Sequence, residues 1–397
     1  MEPPDFVKKQ IQLFLSDNNY SNSILKFSNA SKDGDNFLGS LYRVNINAKK
    51  NNENKELNLV VKCFPIDEKM RVFSKIDDMF LNEIAFYEER LPLFVNLLKD
   101  FNMTFNDVPF YYKGCKTPKN EILILEDLRT EGFVLKETKL LDYPHAVLVA
   151  QHLGRFHAYS FALRDKKPKE FENFRKIKEP LFFKTNCYEK QIDALMEVAL
   201  KALENEDKHY IEKIQQLRKN AQKMIDYSCD SKNSEPYSTL NHGDLWTLNI
   251  LFKYNEKLEP EDIRFLDFQL QRFASPAIDI LYTFFTCLNQ EVKEKYFDEL
   301  LYHYHNSLSQ LLKTLSCDVE KIYPFEALLE HLQRFGSFGA CMCLIDLHLI
   351  TAQMGDNPQP LYNLDYLKTL PELLKTNKLY YTTMRDSLKL MVDRNYL

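Results

Sequence analysis

Hydrophobic periodicity changes once along this 397-residue chain, and that change limits the fold more than any other feature. Up to about residue 127 the apolar positions alternate; beyond about 135 they recur at helical spacing over long stretches. In the first part an amphipathic helix is predicted over 5–18. The segments "NFLGSLYRVNI" (36–46) and "ELNLVVKCF" (56–64) then read as strands, joined by the polar hairpin "NAKKNNENK". Residues 74–90 have helical spacing and are predicted to stop before Pro92, and "DVPFYYKG" (107–114) and "EILILEDL" (121–128) add two strand-like runs. Together they predict a small, mostly antiparallel sheet with one helix inserted after its third strand. In the second part helices are expected over 142–163, 190–226, 276–315, 324–352 and 363–393, interrupted by short strands at 249–252 and 262–268. The fold class is therefore α+β, with a β-rich lobe over 1–127 and a helical lobe over 128–397. The turn-like "LEDLRTEG" joins them once, and the cleft between the lobes is the natural ligand site.

The bulk of the sequence excludes several classes. A formal charge of −5 gives no basic footprint for nucleic acid. The N-terminal stretch lacks a long apolar region, so no secretory signal is expected. No run approaches the roughly 18–20 apolar residues of a membrane span; the longest candidate, "IDILYTFFTCL", carries Asp279. Eight cysteines are scattered without a CxxC pair, several inside apolar segments, which suits reduced thiols in a cytoplasmic protein. His303 and His305, and Cys341 and Cys343, are spaced i, i+2 on predicted helices and face different sides, so neither pair makes a metal site. No protein partner is evident.

The chemistry concentrates in "NHGDLWTLNILF" (241–252), which holds the only tryptophan, Trp246. Phosphoryl transfer needs a carboxylate near the attacking hydroxyl, oxygen ligands for Mg²⁺, and cations or amides on the phosphates. In kinases the base and a metal-binding Asn are spaced D-x4-N, with a further metal-binding Asp on the next hairpin. Asp244 and Asn249 have that spacing, and Asp267 in "FLDFQ" ends the following strand. Alone, "HGD" would fit a turn with an N-capping Asp equally well; the added Asn249 and Asp267 favour a Mg²⁺ site built from hard oxygen ligands. Trp246 is expected to pack and fix the loop without a chemical role. Asp279, which opens the next helix, is placed to accept hydrogen bonds from the backbone around His242 and Gly243, or to serve only as a helix-start carboxylate.

The first lobe offers the phosphate contacts. Lys62 interrupts the apolar strand "LVVKCF", where it would pair with the ATP phosphates and with Glu83 on the following helix. An edge-strand charge, and a solvated helix face for Glu83, are the plainer alternatives. The chain has only nine glycines, yet Gly34 and Gly39 fall together between strand-like runs, where backbone amides can approach phosphates. The adenine is expected against 123–128, with backbone groups of Glu126 to Leu128 as partners and Leu125 as a wall.

These residues resemble the small-molecule branch of the protein-kinase-like superfamily. "NHGDLWTLNILF", "FLDFQ", "LILEDL", "NEIAFYEERLP" and "LGRFHAYS" together are similar to the ecdysteroid kinase-like (CHK kinase-like) family, related to choline kinases and aminoglycoside phosphotransferases, over about residues 30–350. The resemblance implies a bilobal protein-kinase-like fold, ATP and Mg²⁺ as cofactors, and a small-molecule alcohol as acceptor, an ecdysteroid or a xenobiotic conjugate. It makes Asp244 the base, Asn249 and Asp267 the metal ligands, and Lys62 with Glu83 the phosphate-side pair. "GDN" (Gly34, Asp35, Asn36) fits the family's phosphate loop, although an earlier position that is often glycine is not one here. A choline or ethanolamine kinase is the nearest alternative, and a nucleotide-binding pseudokinase a more distant one. A protein kinase is disfavoured, because Gln269 stands where D-F-G has its glycine and only 11 residues separate Asp267 from Asp279.

Overall fold

The computed structural model describes residues 2–30, 40–64, 76–177, 186–351 and 364–397. Helix α1 (Asp5–Asp17) places Val7, Ile11, Phe14 and Leu15 on one side, and that side lies on a five-stranded antiparallel sheet. The strands are β1 (Tyr20–Asn29), β2 (Ser40–Lys50), β3 (Glu53–Cys63), β4 (Tyr111–Cys115) and β5 (Ile122–Glu126), in the order β1–β2–β3–β5–β4. The polar stretch predicted as the β2–β3 loop is mostly strand. Asn51 and Asn52 both adopt left-handed backbone (φ 52° and 65°), so a two-residue turn suffices and Lys50 pairs directly with Glu53.

The two-residue period of β3 sorts its side chains. Leu59, Val61 and Cys63 join Val44, Ile46, Ile122 and Ile124 beneath α1. Lys62 therefore points to the opposite face, level with its cross-strand neighbours Leu41 and Leu123. Across that face runs α2 (Ile76–Ala85), which passes through a π-helical turn at Phe86–Arg90 into α3 (Leu91–Lys99). The predicted stop before Pro92 does not occur. Pro92 sits in the first turn of α3, directly after the π-helical turn, and the chain stays helical through it.

The second lobe contains α4 (Tyr143–Lys166), α5 (Asn186–Ala202), α6 (Lys208–Cys229), α7 (Pro276–Cys287), α8 (Gln290–Thr314), α9 (Phe325–Ile350), α10 (Leu364–Thr376) and α11 (Lys378–Asp393). Three of the long predicted helices are thus each a pair. At each break a side chain caps the second helix: Asp207 accepts from His209 N, Asn289 from Val292 N, and Asn377 from Tyr380 N. Apolar spacing continues across these breaks, so periodicity alone hides them.

Short strands complete the lobe: β6 (Val134–Leu135), β7 (Thr239–Asn241), β8 (Ile250–Tyr254), β9 (Pro260–Phe265) and β10 (Arg272–Ala274). All twelve residues of α7 are buried, which makes it the axis of the lobe. The apolar core is continuous with the inner side of the sheet, since Phe64, Met79, Phe80, Ile84, Leu123 and Leu125 belong to the same cluster as α7. The architecture is α+β, with a sheet-bearing N-terminal region and a helical C-terminal part. Among the described residues no helix is long and apolar enough to cross a membrane.

Candidate active site

Two antiparallel pairings frame the 242–249 loop. Asn241 of β7 lies opposite Arg272 of β10, and Ile250 of β8 lies opposite Phe265 of β9. Between them the chain turns at Gly243, whose φ is +83°; a Cβ there would stand 2.0 Å from the Leu270 carbonyl oxygen. Glycine is required on both counts.

One face of α7 holds this loop, residue after residue. Asp279 accepts from the backbone N–H of His242 (2.7 Å) and Gly243 (2.9 Å), as expected from its position. One turn on, the Tyr282 hydroxyl donates to Asp244 Oδ1 at 3.1 Å, and Thr283 Oγ1 donates to the Leu245 carbonyl at 2.9 Å. Spacing of i, i+3 and i+4 puts these three side chains on one helical stripe. His157 on α4 adds a contact to Asp279 at 3.2 Å. Burial opposes ionisation of Asp279, but the His157 hydrogen bond, the nearby histidines and the backbone donors outweigh it and lower its pKa. The ring of His242 joins Leu266 O through Nε2 (2.9 Å) and takes the Asp244 N–H at Nδ1 (3.3 Å), which fixes a neutral ring as donor at Nε2.

The β8–β9 hairpin brings Asp244, Asn249 and Asp267 together. Asn249 Nδ2 donates to the Asp244 carbonyl (2.8 Å) and to its Oδ2 (3.2 Å), while Leu266 N donates to the Asn249 carbonyl (2.9 Å). The amide nitrogen of Asn249 is thereby committed to Asp244, and its side-chain oxygen is the atom left for a cation. Asp267 adopts left-handed backbone (φ 65°, ψ 69°), uncommon for a residue with a side chain and characteristic of constrained functional positions. Burial, reinforced by the Asp267 and Asp346 carboxylates, pushes Asp244 well above the ordinary carboxylate range; hydrogen bonds from Tyr282 and Gln269 act the other way.

Lys62 crosses from the sheet to meet this cluster. Its Nζ lies 2.7 Å from Glu83 Oε2 and 2.8 Å from Asp267 Oδ1, with both Lys62 and Glu83 buried. The edge-strand and solvated-helix alternatives are thereby excluded. Burial works against the Lys62 charge, yet Asp267 and Glu83 more than offset it and raise its pKa. Burial pushes the Glu83 carboxyl up to about 7 against the pull of Lys62, and Asp267 adds to the rise. One ammonium thus serves two carboxylates, with Asp244 and Asp346 close behind.

The helix carrying Glu83 is fixed by its neighbour. Asn82 Nδ2 donates to the carbonyls of Gln269 and Gln271 (3.0 Å each), and Gln271 Nε2 donates back to Asn82 O at 2.6 Å. Phe86 stacks on Phe268 with ring centroids 3.7 Å apart. The segment after Asp267 and the helix bearing Glu83 are therefore one packed unit.

At the lobe junction the Glu126 N–H donates to Phe110 O (3.0 Å), and its carboxylate accepts from Phe110 N (3.1 Å). The Glu126 N–H and carboxylate are both thereby committed to Phe110. Leu128 opens a short 3-10 turn capped by Asp127, and Leu125 is buried toward the cleft side of the sheet. Gly34, Asp35, Asn36 and Gly39 lie outside the described residues. Trp246 is buried within the main core, in keeping with a packing role.

The sequence profile of the ecdysteroid kinase-like family matches residues 33–317, most of the chain, with Lys62, Glu83, Asp244, Asn249, Asp267 and Asp279 all inside the match. The chain belongs to the ecdysteroid kinase-like family. No curated protein matches it. Among solved structures, this family member is similar to a GDP complex of an aminoglycoside 2'-phosphotransferase IIIa mutant: 14% identity, 98% of this chain and 96% of that chain covered, TM-score 0.41. It is also similar to a protein of Ralstonia eutropha JMP134 provisionally described as an aminoglycoside phosphotransferase: 9% identity, 97% and 98% covered, TM-score 0.42.

Sequence reasoning about this ecdysteroid kinase-like chain did not find Tyr282, Gln269, Asn82 or Asp346. A signal existed for Tyr282, one helical turn after Asp279. Asp346 had none, since it comes from a helix whose docking no local pattern specifies.

Proposed function

We propose that this protein transfers the γ-phosphoryl group of ATP, with Mg²⁺, to a hydroxyl of a small-molecule alcohol. Its membership of a kinase-like family supports a phosphotransferase. The observation that carries the finer reading is the Lys62 ammonium held between Glu83 and Asp267 beside the Asp244–Asn249 pair. The donor set fits a hard dication: Asp267 and the Asn249 carbonyl are oxygen ligands, and carboxylates outnumber cations around them. Among the described residues no group of three or more His, Cys, Asp or Glu is arranged to hold a metal alone. That suits Mg²⁺, which keeps water and substrate phosphates in its shell.

When bound, Mg²⁺ would be held by Asp267 and the Asn249 side-chain oxygen and would neutralise charge that develops on transfer. The rest falls to the chain. Lys62, steadied by Glu83, orients the phosphates by charge. Asp244, held by Tyr282, Asn249 and the loop backbone, receives the acceptor hydroxyl's proton at a carboxylate oxygen. Its raised pKa makes it a better proton acceptor than an ordinary aspartate. The Glu126 carbonyl and the Leu128 backbone are assigned to the adenine, and Gly34, Asp35 and Asn36 to the phosphates.

The family description supports an ecdysteroid as the acceptor, and a xenobiotic conjugate bearing a free hydroxyl is the second class proposed. Free cysteines among the described residues, most of them buried, fit a reducing cytoplasm. The test is ADP release from MgATP in the presence of ecdysteroids, phenolic and glycosidic alcohols, and choline. Acceptor-dependent release that Asp244→Asn abolishes while ATP still binds supports the reading. Turnover at the wild-type rate in that variant overturns the role of Asp244, and a response restricted to choline moves the substrate class.

A further inference from the structure

Behind the base stands a carboxyl that the transfer reaction as described does not use. Asp346, on α9, is nine-tenths buried, and its Oδ2 has no hydrogen-bond partner. The Tyr282 hydroxyl, which donates to Asp244 Oδ1, is also within hydrogen-bonding reach of Asp346. One phenolic hydrogen therefore lies between two carboxyl groups.

Only one arrangement lets both carboxyls hydrogen-bond to Tyr282 at once. If Asp346 carries a proton, it donates to the Tyr282 oxygen, and Tyr282 directs its own hydrogen to Asp244. If Asp346 is ionised, two carboxylates compete for one hydrogen, and a buried oxygen stays unpaired at a cost. We infer that Asp346 is a positioning residue for the transfer, heading a donor chain Asp346–Tyr282–Asp244 that fixes the base carboxylate. This inference rests on the phosphotransfer reading given above. Tyr282 and Asp279 then divide the loop between them: Asp279 fixes its backbone, and Tyr282, backed by Asp346, fixes its carboxylate.

Burial pushes Asp346 up to about 7, which keeps the proton available near neutrality. Burial shifts its neighbours as well. Cys287 on α7 is pushed up to about 12 and Cys343 on α9 to about 11, both chiefly by burial. Lys293 of α8, beyond those thiols, is lowered by burial to about 8. Asp244 and Tyr282 are both raised, burial being the main cause.

The experiment has two arms on the full chain. In the first, ADP release from MgATP with an ecdysteroid is followed against pH. Losing one hydrogen bond to a charged group is worth roughly a tenfold rate, so Tyr282→Phe and Asp346→Leu should each lose about that much with the KM for ATP unchanged. Asp346→Asn keeps an N–H donor for Tyr282 and should recover most of the loss, with a flatter pH profile. Equal rates for Asp346→Asn and Asp346→Leu, or wild-type rates for Tyr282→Phe, overturn the inference. In the second arm, fluorescence of Trp246, the only tryptophan and two residues from Asp244, is titrated without nucleotide. A step near neutrality is expected in the wild type and absent in Asp346→Asn. A step that persists there belongs to another group and overturns the inference, as does the lack of any step in the wild type. If the wild type releases no ADP with any acceptor, the phosphotransfer reading fails while the fluorescence arm still decides the chain.

Discussion

Asn82 and Gln271 hydrogen-bond each other reciprocally, side chain to backbone in both directions, at 3.0 and 2.6 Å. Asn82 precedes Glu83, and Gln271 follows Asp267 by four residues, so this clasp sets the distance over which Lys62 must bridge. Asn82→Ala leaves the Gln269 and Gln271 carbonyls short of a donor at about 1–3 kcal/mol each. The variant is expected to stay folded with a lowered melting temperature, and to lose transfer rate more than ATP affinity. Unchanged turnover in a stably folded Asn82→Ala protein would show that the clasp does not position the site.

Removing the ammonium should cost stability as well as activity. In Lys62→Met, Glu83 and Asp267 face each other without a cation, and breaking a buried pair from one side costs about 3 kcal/mol or more. Urea denaturation should show a lower midpoint. Adding Glu83→Gln to that variant removes one of the two carboxylates and should recover part of the loss, while ADP release stays abolished in both. A double variant less stable than Lys62→Met alone would contradict this account of the charge balance.

The legible part of the site was that fixed by chain-local chemistry. Asp244, Asn249 and Asp267 follow from spacing plus one hairpin, and β8–β9 supplies that hairpin. Lys62 was legible because a charge in an apolar strand needs a reason, and Asp279 because it opens a helix just after Asp267. Tyr282 had a signal, one helical turn after Asp279, but Gln269 and Asn82 did not, because their contacts depend on how α2 docks. Asp346 was least accessible of all, since 63 residues separate it from Tyr282. The fold shows the same division. Strand alternation and helical spacing gave the lobes, but side-chain caps at Asp207, Asn289 and Asn377 split helices that periodicity runs together, and Pro92 began a helix it was expected to end.

The carboxylate excess predicts how Mg²⁺ stabilisation should vary with pH. Glu83 and Asp346, each pushed up to about 7, and the raised Asp244 bind more protons folded than unfolded. Their contribution to stability therefore falls as pH rises from the ordinary carboxylate value through the folded one. His331 and His348, both lowered by burial to about 4, act in the opposite direction below about pH 6.5. Those histidines cancel in a difference measured with and without the ion. The gain in melting temperature on adding Mg²⁺ should grow between about pH 5.5 and 8, because these neighbouring carboxyls gain negative charge over that range and attract the cation more strongly. A gain independent of pH would mean that Mg²⁺ binds elsewhere.

Two glycines with left-handed backbone separate strain from clash. Gly132 (φ +89°) and Gly243 (φ +83°) would each force an alanine into a conformation costing roughly 1–2 kcal/mol. Around Gly132 there is room, the nearest atom to an added Cβ being Lys253 Cε at 3.9 Å. At Gly243 the Cβ would lie 2.0 Å from a backbone carbonyl that no rotamer change can move, so the loop itself must shift. That shift pulls the His242 and Gly243 N–H groups off Asp279 and carries Asp244 away from Tyr282. Gly132→Ala should lower stability by about 1–2 kcal/mol and leave turnover near wild type. Gly243→Ala should cost at least twice that and reduce ADP release by about a hundredfold or more, since a displaced base forfeits general-base catalysis. Equal effects of the two substitutions would mean that backbone strain alone, and not the packing of the loop against Leu270, makes Gly243 necessary.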